Sequence, residues 1–214
     1  MTSDMQASHR AFLDRYYRLT HHVYDVSRKY YLFGRDGVLE RLLASDWTTL
    51  VELGPGTGRN LAWLHRRRPN AILGGLEASE IMRAHARRRC PWARIDPGFA
   101  EDGDIGAVLG APPQRILMSY CLSMFTDKDR AIDNARRHLV PGGELWVVDF
   151  SDLAGLPSMP RRAMRKFLAA FHVEVVPDEL LHRHGASHVE HGPIRYFVVA
   201  RFAASGDAPS GDAA

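Results

Sequence analysis

Glu52-Leu53-Gly54-Pro55-Gly56-Thr57-Gly58 decides how this chain is read. It ends Thr49–Leu53 (TLVEL), a short apolar run with β-branched residues, and it precedes Arg59–Arg68, a helical run closed by Pro69. The order predicted is strand, glycine turn, helix. Glycines let a backbone turn sharply and approach a ligand with no Cβ in the way. A turn at the carboxyl end of a strand is where open α/β sheets bind ligands.

Three nucleotide-binding loops compete for this position. A dinucleotide fingerprint has the spacing G-x-G-x-x-G, whereas this turn is G-x-G-x-G with Arg59 where the last glycine should be. A P-loop requires Gly-Lys-Ser/Thr, which the chain lacks. The third pattern, an acid, one residue, then G-x-G-x-G, resembles the S-adenosylmethionine loop of class I methyltransferases. Glu77 ends the next predicted strand, 19 residues after Gly58. A carboxylate there can accept hydrogen bonds from two ribose hydroxyls, an arrangement shared with dinucleotide folds.

Outward from the turn, strands and helices alternate. Further strands are predicted at Ala71–Leu76, Ala93–Ile95, Arg115–Tyr120 and Glu144–Phe150. Ser79 can cap a helix over Glu80–Arg89 that Pro91 ends, and Thr126-Asp127-Lys128-Asp129 has capping-box spacing before a helix carrying Ile132, Ala135 and Leu139. A basic helix is expected over Arg161–Phe171, then two last strands at Val173–Val176 and Arg195–Phe202. Ahead of the turn, Phe12, Tyr16, Leu19, Val23, Val26 and Tyr30 keep one helical face apolar. Gly34-Arg35-Asp36-Gly37 then reads as a break before a short helix, Val38–Leu43. The fold class expected is α/β, a mostly parallel seven-stranded sheet with helices on both faces. Residues 1–44 are expected to form a helical lid, 45–202 the main domain and 203–214 (AASGDAPSGDAA) a disordered tail.

Composition bounds the function. The chain has 214 residues, and 28 Lys and Arg against 25 Asp and Glu leave a net charge of +3. That excludes a histone-like protein, and no recognition motif points to nucleic acid. Cys90 and Cys121 are too few for a disulfide framework or a four-thiolate metal site. The histidine pairs His21-His22, His182/His184 and His188/His191 join no acid in a metalloenzyme pattern, so no metal is expected. The first residues lack an apolar signal core, and the longest nearly apolar run, Ile116–Phe125, is far short of the ~20 residues that span a bilayer. A cytoplasmic protein is expected, touching a membrane only from its inner face.

The class I resemblance implies S-adenosylmethionine as cofactor. Glu52, Gly54, Gly56, Thr57, Gly58 and Asn60 would hold it from the turn, and Glu77 and Ala78 from the second strand. Adenine would meet one of Ala100, Glu101 and Asp102. Ser119 and Tyr120 open the wall near the transferred methyl, which continues to Met124 (YCLSM).

A narrower resemblance begins at Tyr24-Asp25-Val26-Ser27-Arg28-Lys29-Tyr30-Tyr31-Leu32-Phe33-Gly34-Arg35-Asp36. This run is similar to the opening of the bacterial betaine-lipid methyltransferases. GTGRNL (56–61), SYCLSMF (119–125), WVVDFSD (146–152) and FHV (171–173) resemble segments of that family in the same order, so the likeness covers roughly residues 9–202. Pro55 and Cys121 depart from it, standing where cysteine and serine are common. The resemblance implies N-methylation of diacylglyceryl-homoserine, a lipid amine at a membrane surface, to its trimethylated betaine. Other amines, phosphatidylethanolamine or a soluble one, and a non-catalytic nucleoside-binding module are the alternatives.

In-line methyl transfer to a neutral amine asks the protein mainly to position and desolvate. Catalytic and substrate roles fall to Tyr24, Arg28, Tyr31, Arg35 and Tyr120, with Tyr24 and Arg35 also near the cofactor. Aromatic faces stabilise a growing quaternary ammonium, although Tyr30, like Tyr16, lies on the apolar stripe, where aromatics are more often packing than cage. Arg28 and Arg35 suit the homoserine carboxylate; ion pairs with Asp25 and Asp36 are the competing role. His172 is a head-group candidate. Arg66–Arg68 and Arg87–Arg89 end predicted helices, where cations suit the dipole. Arg161, Arg162, Arg165 and Lys166 could meet anionic lipid heads.

Overall fold

The computed structural model describes residues 32–170 and 173–206. Four of the five residues of strand β1 (Thr49–Leu53) are buried, as befits a strand covered on both faces. It lies inside a seven-stranded sheet with β2 (Ile72–Glu77), β3 (Arg94–Pro97), β4 (Arg115–Ser119), β5 (Glu144–Phe150), β6 (His188–His191) and β7 (Phe197–Ala203). The order is β3-β2-β1-β4-β5-β7-β6. The first five strands run parallel, β7 pairs antiparallel with β5, and β6 antiparallel with β7. Strand order reverses between β1 and β4, so the glycine turn stands at the switch point.

Seven helices flank the sheet among the described residues: α1 (Arg35–Ala44), α2 (Arg59–Arg67), α3 (Glu80–Arg89), α4 (Ile105–Leu109), α5 (Lys128–Arg137), α6 (Ser158–Ala170) and α7 (Asp178–Arg183). Alternate strand residues divide between two cores, the period-two rule of a pleated strand. Val51 and Leu53 pack with α4, α5 and α7 through Ile105, Ile132 and Leu180. Leu50 packs on the other face with α1, α2 and α6 through Leu39, Leu61 and Leu168. None of the described helices is long and apolar enough to cross a membrane.

Several expectations need correction. Gly34-Arg35-Asp36-Gly37 is not a break: α1 starts at Arg35, and Gly34 caps it in the left-handed conformation. Val173–Val176 is not a strand. The sixth strand is His188–His191, an edge strand with no fully buried residue, so it carries no apolar alternation to read. The cap of α5 is Asp127, whose side chain accepts from the Arg130 N–H at 3.0 Å, rather than Thr126. β4 stops at Ser119 because Tyr120 turns to φ 55°. α4 and α7, five and six residues long, are too short to show a helical period.

The expected tail begins inside the body. Ala203 ends β7, and the Ala204 and Ser205 amides donate to Gly143 and Arg136 carbonyls. The segment expected to form a tyrosine-bearing N-terminal helix, with Tyr24, Arg28 and Tyr31, lies outside the described residues, as do His172 and residues 207–214.

One side chain ties the end of α1 to the end of α2. Arg68, just past α2, donates to the carbonyls of Leu43, Ser45 and Trp47 at 2.8–3.1 Å, and its guanidinium stacks 4.6 Å from the Trp47 ring. It thereby satisfies carbonyls that the end of α1 leaves open. Charge-assisted bonds of this kind are worth about 1.5–3 kcal/mol each when removed. Arg68→Met is expected to lower unfolding stability in urea by about 2–3 kcal/mol at unchanged m-value. Lys, with one point charge for a planar fork, is expected to restore less than half of the loss.

Candidate functional site

The turn after β1 is built from three left-handed glycines, Gly54, Gly56 and Gly58, with φ of 62°, 57° and 75°. It is also pressed from two sides. A Cβ on Gly58 would sit 3.1 Å from Cys90 Sγ and 3.2 Å from Ala86 Cα, and one on Gly54 would sit 3.0 Å from Cys121 Cβ. The two cysteine thiols hold the turn by donating, Cys90 to the Gly58 carbonyl and Cys121 to the Leu53 carbonyl at 3.3 and 3.1 Å. Burial pushes Cys90 up to about 11 and Cys121 well above the usual thiol range, so both stay neutral donors.

Carboxylates converge on this turn from the ends of β1, β2 and β3. Glu52 is 1% exposed. Its Oε1 accepts from Asn60 Nδ2 at 2.7 Å, while its Oε2 has no hydrogen-bond partner among the described residues. Burial raises the Glu52 carboxyl to about 7 against the opposing Asn60 bond and Arg35 charge. Glu77 accepts from the Gly56 and Ser79 amides, each at 2.9 Å. Glu101, 3% exposed, accepts from the Thr126 amide through Oε1 and has a buried Oε2 with no partner among the described residues.

The crevice runs from Gly54, Gly56, Glu77 and Ala78 past Ala100 and Glu101 to the β4 end at Tyr120. Asp102 is exposed and does not line it. A second hollow, across the turn, takes in Arg35, Glu52, Thr57, Asn60 and Ser119. The Ser119 hydroxyl there is buried without a partner among the described residues.

Sequence reasoning missed Gly98 and Phe99, which also line the crevice, because it ended the third strand at Ile95 and β3 runs to Pro97. It passed over Phe125 as well, one residue beyond the wall it drew at Met124. It also missed Asp149, which is fully buried and accepts from the Ser123 and Phe150 amides at 3.0 and 2.8 Å. An acid inside the apolar run of β5 was the signal available for it.

Two expected roles change. Asp36 pairs with Arg59 at 2.7 and 3.2 Å, while its separation from Arg35 is 3.8 Å. Arg59, the residue that breaks the dinucleotide fingerprint, thus ties α1 to α2 and holds Asp36 below the usual carboxylate range. The Tyr120 hydroxyl donates to the Phe33 carbonyl, and its ring meets Phe150 edge-on at 4.7 Å. Burial drives this phenol far above its ordinary range, so it stays protonated with its hydroxyl given to Phe33.

The donor and acceptor balance tests which nucleotide fits. S-adenosylmethionine brings hydrogen-bond donors at its adenine amine, ribose hydroxyls and ammonium, and a sulfonium cation. The crevice and the hollow across the turn offer carboxylates, Glu101 in the first and Glu52 in the second each with a buried open oxygen among the described residues. A pyrophosphate would instead need the turn's amides, and the Gly56 amide is already committed to Glu77. Buried carboxylates beside a pyrophosphate also repel it. The residues therefore fit the sulfonium nucleoside.

Comparison with known proteins agrees. Residues 50–143 match the family model described as a methyltransferase domain. A ubiquinone/menaquinone biosynthesis C-methyltransferase from Acidiphilium cryptum is 31% identical over 124 residues, 56% of this chain and 49% of that protein. The chain thus spans about half the length of this curated relative. The S-adenosylmethionine-bound amino pentose methyltransferase from Micromonospora echinaspora is 26% identical with a TM-score of 0.50, over 58% of this chain and 55% of that one. A methyltransferase from Thermotoga maritima, described as a possible histamine N-methyltransferase, shares the fold with a TM-score of 0.64 at 20% identity, over 88% and 97% of the two chains.

Gly58→Ala is expected to weaken binding of S-adenosylhomocysteine at least ~10-fold by calorimetry, since strain and the Cys90–Ala86 contact both move the turn. Glu52 supplies a pH test. Its folded pKa of about 7 exceeds the ordinary 4.5, so between these values the folded state holds more protons. Stability without cofactor is expected to fall as pH rises from 4.5 to 7, by on the order of 2 kcal/mol, and to level above. Glu52→Gln is expected to flatten most of that slope in urea titrations; an unchanged slope would show that Glu52 is ionised throughout.

Proposed function

We infer that this chain, a class I methyltransferase fold whose residues 50–143 carry a methyltransferase domain, is an S-adenosylmethionine-dependent methyltransferase, and we propose that its acceptor is the amine of diacylglyceryl-homoserine. One observation carries the first part: buried carboxylates with open oxygens surround a glycine turn whose Gly56 amide is already used. The acceptor rests on the resemblance of residues 24–36 and the segments that follow in order. Arg35, the described member of the proposed carboxylate pair, is 9% exposed and lines the hollow that Glu52 floors. A guanidinium there suits a carboxylate in bidentate geometry.

When bound, the cofactor supplies an already activated methyl group, so the chain's task is alignment and exclusion of water. Glu77 would fix the ribose, and Glu101 the adenine amine. Glu52, held by Asn60, would face the ammonium and be drawn to its ionised form by it. Tyr120 and Met124 wall the crevice at the β4 end. Tyr120 also anchors the Phe33 backbone there. The acceptor amine must arrive neutral, and the field of a nearby sulfonium favours that form.

The test is a lipid extract from cells producing this protein with a synthase for the homoserine lipid. Trimethylated betaine lipid is expected, and it should vanish with Glu77→Ala, which removes the ribose acceptor. Methylated phosphatidylethanolamine in its place would keep the enzyme and reject the acceptor. The absence of any methylated product, together with no binding heat for the cofactor, would reject catalysis.

A further inference from the structure

Among the described residues, six large apolar side chains are exposed: Phe33, Ile72, Trp92, Met159, Phe167 and Ile194. Two lie at the amino ends of strands, Ile72 opening β2 and Trp92 stacked on His65 just before β3. The other four belong to segments that join the sheet at the opposite end, that of the carboxyl ends of β4 and β5. Phe33 is tethered to Tyr120 after β4, and its ring meets Tyr196 at 5.4 Å. Ile194 accepts from the Gly155 amide in the segment leaving β5. Met159 and Phe167 lie on α6, which follows that segment.

α6 has two apolar stripes. Met164 and Leu168 face the core. Met159, Ala163 and Phe167, spaced i, i+4, i+8, share the outward face, and Met159 and Phe167 are 83% and 57% exposed. Arg162 and Lys166 flank that stripe, with Arg161 and Arg165 beside them, and the helix contains no acidic residue. A second copy of this face would meet it cation to cation. Nucleic acid would match the cations but leave the apolar stripe against water. An anionic bilayer satisfies both, because apolar side chains enter the interface while cations meet lipid phosphates.

We propose that the outward face of α6 docks this protein on an anionic phospholipid bilayer, with the crevice end of the sheet toward the membrane. The surface stands apart from the acceptor assignment, and its test needs neither acceptor nor methyl transfer.

The full chain is sedimented with vesicles of phosphatidylcholine alone and of an equimolar mixture with phosphatidylglycerol. Binding to the mixed vesicles is expected, weakening as salt rises. A variant combining R162Q, R165Q and K166Q is expected to lose roughly 100-fold in partitioning, from about 1 kcal/mol per charge at the surface. Met159→Ser with Phe167→Ser is expected to weaken binding at every salt concentration. Both variants should keep the wild-type unfolding midpoint and the binding heat of S-adenosylhomocysteine, which separates lost docking from lost folding. No binding to the mixed vesicles would overturn the proposal, as would equal binding to phosphatidylcholine or unchanged binding by the charge variant. So would a dimer that Phe167→Ser dissolves, or duplex RNA bound in place of vesicles.

Discussion

Negative charge gathered around a backbone that cannot take a side chain is the constraint on which the rest of this molecule depends. Glu52, Glu77 and Glu101 sit within the same crevice system, each at or near the end of a parallel strand, and all three are buried. Burying a carboxylate is costly unless hydrogen bonds or opposite charge compensate it. Asn60 and the Gly56, Ser79 and Thr126 amides supply part of that compensation. The remainder is left open at Glu52 and Glu101, where a cationic, donor-rich ligand supplies it. Cofactor selection on this view is a property of charge balance more than of shape.

Packing makes that arrangement rigid. The turn lies between Cys90 and Ala86 of the α3 side and Cys121 of the β4 side, so a Cβ at Gly58 would be strained by its φ and would push these neighbours back by a few tenths of an ångström. Arg59 reaches from the first turn of α2 to Asp36, and Arg68 from just past its last turn to the end of α1. α1 is therefore fastened at both ends to the helix that leaves the glycine turn. Whatever enters the hollow beside Arg35 meets a wall positioned by the cofactor loop itself.

The sheet was legible in the sequence where the physics is local and strong. β1 and β5 are buried on both faces, so short apolar runs, each interrupted by a single internal acid, marked Thr49–Leu53 and Glu144–Phe150 to the residue. Ser79 announced α3 because a cap needs one side chain at one place, and it does accept from the Met82 amide. β6 was illegible, since an edge strand of His, Val, Glu and His has no core face to betray it. In the site, Glu52, Glu77 and the glycines could be read because the backbone chemistry demands those residue types at that spacing. Glu101 could only be bracketed, because β3 has one fully buried residue and its end was therefore uncertain by two positions. The Asp36–Arg59 bond was hidden altogether: 23 residues separate the partners, and nothing local links them.

The two cysteines have one more consequence. Both thiols are bonded to the flanks of the glycine turn and kept protonated, and Cys90 is fully buried, so a thiol reagent does not reach Cys90 while the turn is seated. Each modification event then records a moment when the loop has lifted from its bed. Cys90 thus gives the protein its own chemical clock for breathing at the cofactor door, and a ligand that locks the turn down would slow that clock without touching the Cys90 sulfur.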